Sequence, residues 1–331
     1  MMEYININLQ LLAEMNTNVT TQTGTGQDLS VENKTFYDMT LIDEAQANLV
    51  HDQFGQKRPI PKNGGKKIEF RKFASLPKAL TALTEGVTPD GKKLEVTAIE
   101  AEVAQYGDYI VQSDVLELTS IDNTIVEATK ILGRQAGLTL DTITRDILHG
   151  QCNNVVYCPK GDGTAVSSRS ALDATCKLNV ATIKKAVAFL KKNNAPKIDG
   201  SYVAIIHPYA AHDLMSDPEW IDAHKYAQPE NLYEGEIGKI AGVRFVETSE
   251  AKVLEGGVYG TLLMGANAYG VTEITGGGLQ TIIKQKGSAG TADPLDQRSS
   301  IGWKAMKTAE VLIKPYIMRI ESKSDFDIEE N

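Results

Sequence analysis

Apolar residues recur every three to four positions between Ser120 and Gly150, and this spacing predicts one long amphipathic helix. The apolar stripe consists of Ile121, Ile125, Ala128, Leu132, Ala136, Leu140, Ile143 and Ile147. Ser120 can cap the first amides, and Gly150 can close the last turn. Because the helix is longer than a compact domain usually needs, we interpret it as a spine around which the rest of the chain is arranged.

Two glycines interrupt this helix, Gly133 and Gly137, and each weakens it by about 1 kcal/mol relative to alanine. Their spacing places both on one face of the helix. Either another element approaches the helix closely there, or the two glycines make it flexible.

The chain before the spine contains a polar tract, a helical pattern and a turn signal. Residues 1–30 end in a Thr/Gly tract that we expect to be mobile, because it can bury little apolar area. From Asn33 to Phe54, apolar residues at helical spacing predict a helix that Gly55 ends. The stretch RPIPKNGG at 58–65 predicts a turn or linker.

Residues 60–111 predict a long β-ribbon. Ile68 and Phe70 alternate with charged residues in a strand that we expect to be exposed on both sides. A Pro-Gly turn at 88–91 leads into a returning strand that alternates from Leu94 to Val111. Because an isolated hairpin is marginal in water, we expect this ribbon to dock either on its own subunit or on a neighbouring one.

The remaining pattern mixes helices and strands, which indicates an α+β fold. We expect surface loop over 151–177, helices over 182–192 and from Pro208 onward, and strands over 202–206, 243–246, 258–264, 268–274 and 279–284. Residues 300–320 predict two further strands with a kink near Lys314 and Pro315. No internal repeat is evident.

Length and composition restrict the class of protein. The 331 residues allow about two domains of ordinary size, and 42% apolar with 23% charged residues is normal for a soluble globular protein. No run approaches 18 consecutive apolar residues, and the N-terminal stretch lacks the basic region of a signal peptide. Three cysteines, an odd number, argue against a disulfide framework. We therefore expect the protein to stay in the cytosol where it is made.

The net charge of −9 argues against a generic nucleic-acid binder, which needs a basic surface. The charge is uneven, however, because eight basic residues between Lys57 and Lys78 face one acid, Glu69, while the tail from Glu321 onward is acidic. Such asymmetry suggests a surface that binds an oppositely charged surface on another copy. The alternative is a solvated basic ribbon and a frayed acidic tail.

The glycine-rich segments do not form a phosphate-binding motif. Those at Gly24–Gly26, Gly161–Gly163 and Gly276–Gly278 lack the third glycine of a dinucleotide fingerprint. The segment Gly235–Lys239 lacks the spacing and the Ser/Thr of a P-loop. The hydrolase motif G-x-S-x-G is also absent from the sequence.

One histidine cluster superficially suggests catalysis. His207 and His212 lie near Asp213, but a separation of five residues puts the two imidazoles about 140° apart on a helix. His207 also precedes a proline and so lies outside that helix. Capping and ordinary packing explain these residues better than catalysis does.

Two other sets of residues have similarly simple interpretations. His149, Cys152 and Cys158 lack the paired two-residue spacing of structural zinc sites. Trp220 and Trp303 are better explained as core or interface anchors than as ligand-stacking residues. We therefore assign no catalytic residue, no cofactor-binding residue and no metal ligand, and interpret the chain as a building block for self-assembly.

Several long runs, in order, resemble the major capsid proteins of tailed bacteriophages, in the subgroup named after the capsid protein of coliphage N-four. They are LIDEAQANLVHDQFGQKRPIPKNGGKKIEFRKF (41–73), ALTEGVTPDGKKLEVT (82–97), QYGDYIVQSD (105–114), GEIGKIAGVRFVET (235–248) and DQRSSIGWKAM (296–306). The resemblance covers roughly 30–321. It implies the Hong Kong-phage capsid fold, an α+β fold with an N-terminal arm, an extended E loop, a peripheral P domain that carries the spine helix, and an axial A domain.

The resemblance also implies boundaries for these parts. They are an arm over 1–55, an E loop over 56–104, a P domain over 105–178, an A domain over 179–293, and a return to the P domain with the C-terminal tail over 294–331. It further implies a non-enzymatic virion protein, assembled in the host cytoplasm, whose hexamers and pentamers form an icosahedral shell around double-stranded DNA without reading its sequence. Scaffold, portal and decoration proteins are possible partners, and no cofactor is expected.

Two alternatives differ in function. An encapsulin-like nanocompartment would have the same fold and would enclose protein cargo instead of DNA. An uncharacterised enzyme would use His207, His212 and Asp213.

Overall fold

A computed structural model describes residues 39–326 apart from gaps at 47, 60–65, 74–75, 77, 84, 87, 89, 120–123, 226–237, 274–277, 289–292 and 325. The predicted mobile tract at 1–30, most of the turn at 58–65, the cap at Ser120, part of the glycine segments at 235–239 and 276–278, and the tail beyond 326 lie outside these residues. The chain divides into a smaller unit (1–43, 107–133 and 280–304) and a larger unit (44–106, 134–279 and 305–331).

The described helices and strands agree with a mixed α+β fold. The helices are α1 (39–46), α2 (Asp114–Thr119), α3 (Thr124–Gln151), α4 (Val180–Lys192), α5 (Pro208–Met215) and α6 (Pro218–Lys225). The strands are β1 (Gln56–Arg58), β2 (Lys67–Phe73), β3 (Val96–Glu102), β4 (Ala104–Ser113), β5 (Val155–Tyr157), β6 (Tyr202–Ile206), β7 (Lys239–Ile240), β8 (Val243–Glu247), β9 (Val253–Leu254), β10 (Val258–Met264), β11 (Tyr269–Thr272), β12 (Leu279–Lys284), β13 (Arg298–Lys307), β14 (Ala309–Val311) and β15 (Ile317–Ser322). None of the described helices is long and apolar enough to cross a bilayer.

Helix α3 confirms the predicted spine over 28 residues. It begins four residues after the predicted start and ends one residue beyond Gly150. Half of the predicted stripe is buried, namely Ala128, Leu132, Ala136 and Leu140, and Leu148, which was not assigned to the stripe, is buried as well. A Cβ at Gly137 would lie 2.5 Å from the carbonyl oxygen of Ala45, so this glycine allows the close approach of α1.

The helix predicted from Asn33 to Phe54 is wrong in its second half. Helix α1 ends at 46, and the side-chain amide of Asn48 donates to the carbonyl of Glu44 at 2.8 Å. Turns follow as far as Phe54, because the polar side chains there point inward to buried partners. Gly55, the predicted stop, instead makes room for the ring of Tyr269, which lies 2.6 Å from where a Cβ would stand.

The predicted ribbon exists as the antiparallel pair β2–β3, with Phe70 opposite Ile99. It ends at residue 102, earlier than predicted, because β4 belongs to a different sheet with the order β12–β13–β4. The expectation of exposure on both faces is also wrong, since Ile68 and Phe70 are buried. Apolar alternation in β2 therefore marks a face that is packed.

The larger unit contains a seven-stranded sheet with the order β5–β15–β10–β6–β8–β7, and β9 pairs with β10. Strands β6 and β8 are parallel, while β10 is antiparallel to both β6 and β15. The predicted strands at 202–206, 258–264 and 279–284 and the predicted helix at 182–192 are confirmed, the helix beginning two residues earlier. The side chain of Asn179 accepts from the amide of Thr182, which explains where α4 begins.

Three regions differ from the pattern-based prediction. Residues 300–320 contain three strands instead of two, with a short 3-10 turn at Lys314–Tyr316 where the kink was predicted. Helix α2 was not predicted. The segment 151–177, predicted as surface loop, contains β5 and buries Cys158 and Cys176, so part of it belongs to the core.

In the sheet of the smaller unit, two glycines allow β4 and β13 to lie very close together. A Cβ at Gly107 would lie 2.5 Å from the carbonyl oxygen of Trp303, and one at Gly302 would lie 2.7 Å from the Cβ of Tyr109. A shallow cavity of about 290 Å³ lies beside these positions and is lined partly by Ile282. Small residues are therefore a packing requirement in this sheet.

Candidate assembly surfaces

The loop between β2 and β3 exposes several large apolar side chains. Leu80 is 87% exposed and Leu83 is 76% exposed, Leu76 and Leu94 are exposed as well, and so is the adjoining Val96, the first residue of β3. A single exposed leucine is ordinary, but several on one loop mark an interaction site. We call these five residues the ribbon tip.

Two ion pairs form within the ribbon. Lys67 Nζ donates to Glu100 Oε2 at 2.6 Å across the two strands, and Arg71 Nε donates to Glu69 Oε1 at 3.2 Å. The first of these hydrogen bonds raises the pKa of Lys67 and lowers the pKa of Glu100. Over 66–102 the sequence has seven basic and six acidic residues. The returning strand therefore offsets the basic excess found at 57–78.

The base of the ribbon packs against its own subunit. Ile68, Phe70 and Ala101 form a buried cluster with Leu312. The ring of Phe70 occupies the space above Gly270, where a Cβ would collide with it. The sequence left open whether the ribbon docks on its own subunit or on a neighbouring one. The base of the ribbon docks on its own subunit.

A buried polar cluster fixes the segment that precedes the ribbon. The backbone amide of His51 donates to Asp141 Oδ1 at 2.7 Å, and His51 Nδ1 lies 2.7 Å from Asp141 Oδ2. The hydroxyl of Tyr269 donates to the carbonyl oxygen of His51. Burial, together with the carboxylates of Asp52 and Asp141, raises the pKa of Tyr269 well above its usual value. The segment is thereby tied to both α3 and β11.

Asp52 extends this cluster to the C-terminal part of the chain. Thr144 Oγ1 donates to Asp52 Oδ1 at 2.7 Å, and Lys307 Nζ forms an ion pair with Asp52 Oδ2. Lys307 and Asp52 are both buried. A buried lysine is stable only when its charge is paired, so this contact fixes where the segment lies.

Sequence reasoning missed this cluster, although one signal was present. Asp141 and Thr144 lie one and four positions after Leu140, which belongs to the buried stripe of α3. Polar residues that border an apolar stripe need polar partners elsewhere in the chain. Nothing in the sequence, however, identifies those partners as His51 and Asp52.

The three residues that suggested catalysis lie in different environments. His207 caps α5, since its Nδ1 accepts from the amide of Tyr209 at 3.2 Å, and this confirms the capping prediction. Burial lowers the pKa of His207. His212 is exposed, with its Nδ1 3.7 Å from Oδ1 of the buried Asp213. The two imidazoles contact different rings. The ring centroid of His207 lies 4.9 Å from that of Tyr259, and the ring centroid of His212 lies 5.4 Å from that of Phe326.

The residues considered for zinc do not come together as a site. Cys152 packs in one core cluster and Cys158 in another, and burial raises the pKa of Cys158 to about 12. His149 is buried, and burial together with nearby cationic side chains lowers its pKa. Within the part of the chain that the structure describes, no three His, Cys, Asp or Glu residues are grouped to hold a metal ion.

Glu321 and Trp220 also have defined positions. Glu321, assigned to a frayed acidic tail in one interpretation of the sequence, is buried in β15 and accepts from Arg169 Nε and Nη2, both at 2.8 Å. For this residue the frayed-tail interpretation is wrong. Trp220 is buried with its ring 5.8 Å from that of Phe245, and Trp303 is buried as well, so both are core residues.

Comparison with known proteins places these features in a family context. Residues 124–287 match the family described as phage capsid protein. No curated protein sequence matches the chain significantly.

Solved structures with a similar fold include shell proteins of several phages. The capsid protein of Ralstonia phage GP4 is 14% identical with a TM-score of 0.63, covering 85% of this chain and 90% of that one. The capsid protein of cyanophage P-SCSP1u is 14% identical with a TM-score of 0.62, covering 84% and 89%. A virus-like particle from Pyrococcus furiosus is 12% identical with a TM-score of 0.50, covering 88% and 100%.

At these identities the structural matches show the fold alone, and the Hong Kong-phage capsid fold expected from the sequence is confirmed. The same fold in a virus-like particle does not favour the nanocompartment alternative, because the family that matches is that of phage capsid proteins. The family match over 124–287 and the shared fold both support a phage major capsid protein, a structural protein of the icosahedral shell.

Proposed function

We propose that this chain assembles into hexamers and pentamers that close around double-stranded DNA, and that the ribbon tip of each subunit binds to a neighbouring copy. The exposure of the tip carries this proposal, since Leu80 is 87% exposed, Leu83 is 76% exposed and three further apolar side chains are exposed beside them. Contacts of this head-to-tail kind generate closed rings when the rotation between subunits closes.

Apolar burial supplies most of the association energy in this proposal. Full burial of one leucine contributes about 1.5–3 kcal/mol, so five tip residues offer several kcal/mol toward the cost of association. The ribbon is nearly neutral, because residues 66–102 include seven basic and six acidic residues, and Lys67 and Arg71 have partners within it. Its charges therefore set the register of the contact more than its strength.

The proposed domain roles follow the boundaries implied by the resemblance. The arm extends over 1–55 and the E loop over 56–104, which includes the ribbon and its tip. The P domain extends over 105–178 and continues with the tail over 294–331, while the A domain extends over 179–293. Helix α3 lies within the proposed P domain and the β2–β3 ribbon lies within the proposed E loop. The seven-stranded sheet combines β6 to β10 of the proposed A domain with β5 and β15 of the proposed P domain.

The proposed role is geometric, with no chemical reaction. His51 is paired with Asp141 and Asp52 with Thr144, and these structural contacts support a non-enzymatic function. Assembly would take place in the host cytoplasm, with scaffold, portal and decoration proteins as possible partners. The net charge of −9 is consistent with enclosing DNA without sequence-specific binding.

Placing charges on the ribbon tip tests the proposal. The variant Leu80→Asp/Leu83→Asp should express as a folded subunit with unchanged helicity by circular dichroism, yet give no closed shells by electron microscopy. Thr81→Asp is the matched control, because it adds a carboxylate at an exposed polar position of the same loop and should still permit shells. Normal shells from the double leucine variant would refute the assigned role of the tip.

A charge swap tests the role of the ribbon's basic residues. Lys66→Glu/Lys67→Glu should impair assembly and leave the monomer's helicity unchanged. Because Lys67→Glu also breaks the pair with Glu100, the swap Lys67→Glu/Glu100→Lys restores pairing within the ribbon. Impaired assembly of the swapped variant would locate the effect between subunits, whereas full recovery would show that the pair matters only within the ribbon.

A further inference from the structure

The solvent-facing side of α4 consists of lysine and alanine alone. Its exposed residues are Ala181, Lys184, Lys185, Ala188, Lys191 and Lys192. The opposite side is buried in the core of the larger unit through residues that include Ile183, Val187 and Leu190. Because that packing fixes the orientation of the helix, four ammonium groups are held on one surface.

The spacing of the lysines creates two parallel rows. Residues seven apart on a helix lie almost on one line, about 10 Å apart, so Lys184 aligns with Lys191 and Lys185 with Lys192. The alanine side chains between them project very little, and a flat surface can therefore approach the helix. We call these four lysines the lysine face.

The charge of this face is poorly balanced within the subunit. Lys184 Nζ pairs with Glu219 Oε2 at 2.6 Å. Lys185, Lys191 and Lys192 form no ion pair with any residue that the structure describes. Lys191 and Lys192, in the last turn, also interact favourably with the C-terminal end of the helix dipole. That effect does not extend to Lys184 and Lys185 in the first half of the helix. A basic surface on a chain of net charge −9 thus lacks an internal explanation.

We propose that the lysine face contacts the phosphate backbone of the packaged double-stranded DNA. This inference rests on the proposed function, because it requires a shell that encloses DNA. Lysine binds phosphate as a point charge, and the face contains no arginine, asparagine or glutamine that could read base edges. Four lysines give weak, salt-sensitive binding, which positions DNA without holding it tightly.

Amine-reactive labelling of particles tests this contact. In DNA-filled particles, Lys185, Lys191 and Lys192 should react at least threefold more slowly than in empty particles, as measured by mass spectrometry of the labelled peptides. Lys92 and Lys93, exposed near the ribbon tip, serve as internal controls and should react equally in both.

Each other outcome of the labelling overturns the proposal. Equal reactivity of the α4 lysines in filled and empty particles excludes a DNA contact. Protection in both kinds of particle identifies the face as a contact with an acidic surface of another copy. If no particles form at all, the proposed function fails and this inference fails with it, whereas particles with unprotected lysines refute this inference alone.

A variant extends the test to binding by the full-length unassembled subunit. Lys185→Gln/Lys191→Gln/Lys192→Gln should lower the affinity for a DNA duplex at least tenfold at 50 mM salt, measured by fluorescence anisotropy. The slope of log affinity against log salt should become shallower by about 3, close to 0.9 per lost phosphate contact. The matched control Lys78→Gln/Lys92→Gln/Lys93→Gln should leave the slope unchanged. An unchanged slope in the α4 variant would overturn the proposal.

Discussion

The two ends of the β2–β3 ribbon differ sharply although they belong to one hairpin. At the base, Phe70 is fully buried and packs with Ile68 and Leu312 of the same subunit. At the tip, Leu80 and Leu83 are among the most exposed leucines of the described residues. Apolar side chains are therefore buried within the subunit at the base, whereas those at the tip remain exposed and can be covered by a partner.

This difference shows what apolar patterning reveals. Alternation in β2 correctly predicted a strand, but the expectation that both of its faces are exposed was wrong, and the pattern did not show what its apolar residues contact. Gly270 decides the question at the base, because only a residue without a side chain leaves room for the ring of Phe70. The partner of an apolar face is thus set by residues about 200 positions away in the sequence.

The largest expected contrast comes from truncating one residue at each end. Phe70→Ala should lower the free energy of unfolding by about 3–5 kcal/mol, because it leaves a cavity in a packed cluster. Leu83→Ala should change it by less than about 0.5 kcal/mol, because the side chain is exposed. Urea unfolding of the unassembled subunit measures both values.

A double variant sharpens this contrast at the base. Gly270→Ala should destabilise the wild-type protein by pressing a methyl group against the ring of Phe70, and should cost much less in the Phe70→Ala background. Equal losses from Phe70→Ala and Leu83→Ala would contradict the assignment of base and tip.

The buried polar cluster provides the next test, because it anchors the segment that leads into the base of the ribbon. Lys307→Met should cost about 3–5 kcal/mol of unfolding free energy, since it leaves the Asp52 carboxylate buried without its cation. Lys239→Met, at an exposed lysine in β7, is the matched control and should have little effect. Chemical denaturation of both variants gives the comparison.

A second substitution separates charge from shape in that experiment. Asp52→Asn removes the unpaired charge and retains an oxygen that can accept from Thr144. Lys307→Met/Asp52→Asn should therefore recover most of the stability lost in Lys307→Met. No recovery would mean that packing around Lys307, and not the ion pair, fixes the segment.

The sequence predicted the parts of the fold that depend on local periodicity. The stripe of α3 and the continuous apolar run of β6 were recognisable because one strong period, or one fully buried strand, dominates each. The region around His51 was not predictable. Its apolar spacing fits a helix, but contacts of His51 and Asp52 with residues about 90 positions away favour turns.

The candidate surfaces were predictable to different degrees. The basic excess at 57–78 was visible in the sequence, but its neutralisation by Glu100 depends on strand pairing. The lysine face of α4 was equally visible as a pattern, yet its meaning depends on which helix positions are buried. Surface properties arise from how elements pack, so composition alone does not determine them.

A smaller effect, within the body of the subunit, concerns pH. Burial and neighbouring cations keep the pKa of His149 well below its ordinary value in the folded state. Below about pH 6.5 the unfolded chain binds a proton that the folded chain does not, so stability falls as pH drops toward the folded-state pKa, by up to about 1.4 kcal/mol per pH unit. His149→Gln should make this acid-side fall shallower in unfolding measurements from pH 7.5 to 5. The exposed His212→Gln is the control, and a slope equal to wild type in His149→Gln would contradict the assignment.

The smallest expected change in stability comes from the turn between β7 and β8. Backbone conformation, more than exposure or packing, determines the effect of a substitution there. Ala241 has a φ of 52° and Gly242 a φ of 80°, the geometry of a two-residue hairpin turn in which both residues are left-handed. The left-handed conformation costs alanine about 1 kcal/mol or more. Glycine avoids this cost but loses more conformational entropy on folding. Ala241→Gly should therefore raise the urea midpoint slightly, by up to about 1 kcal/mol in stability. Ala188→Gly, at an exposed helical position, should lower stability by about the same amount, so opposite signs are expected for one chemical change.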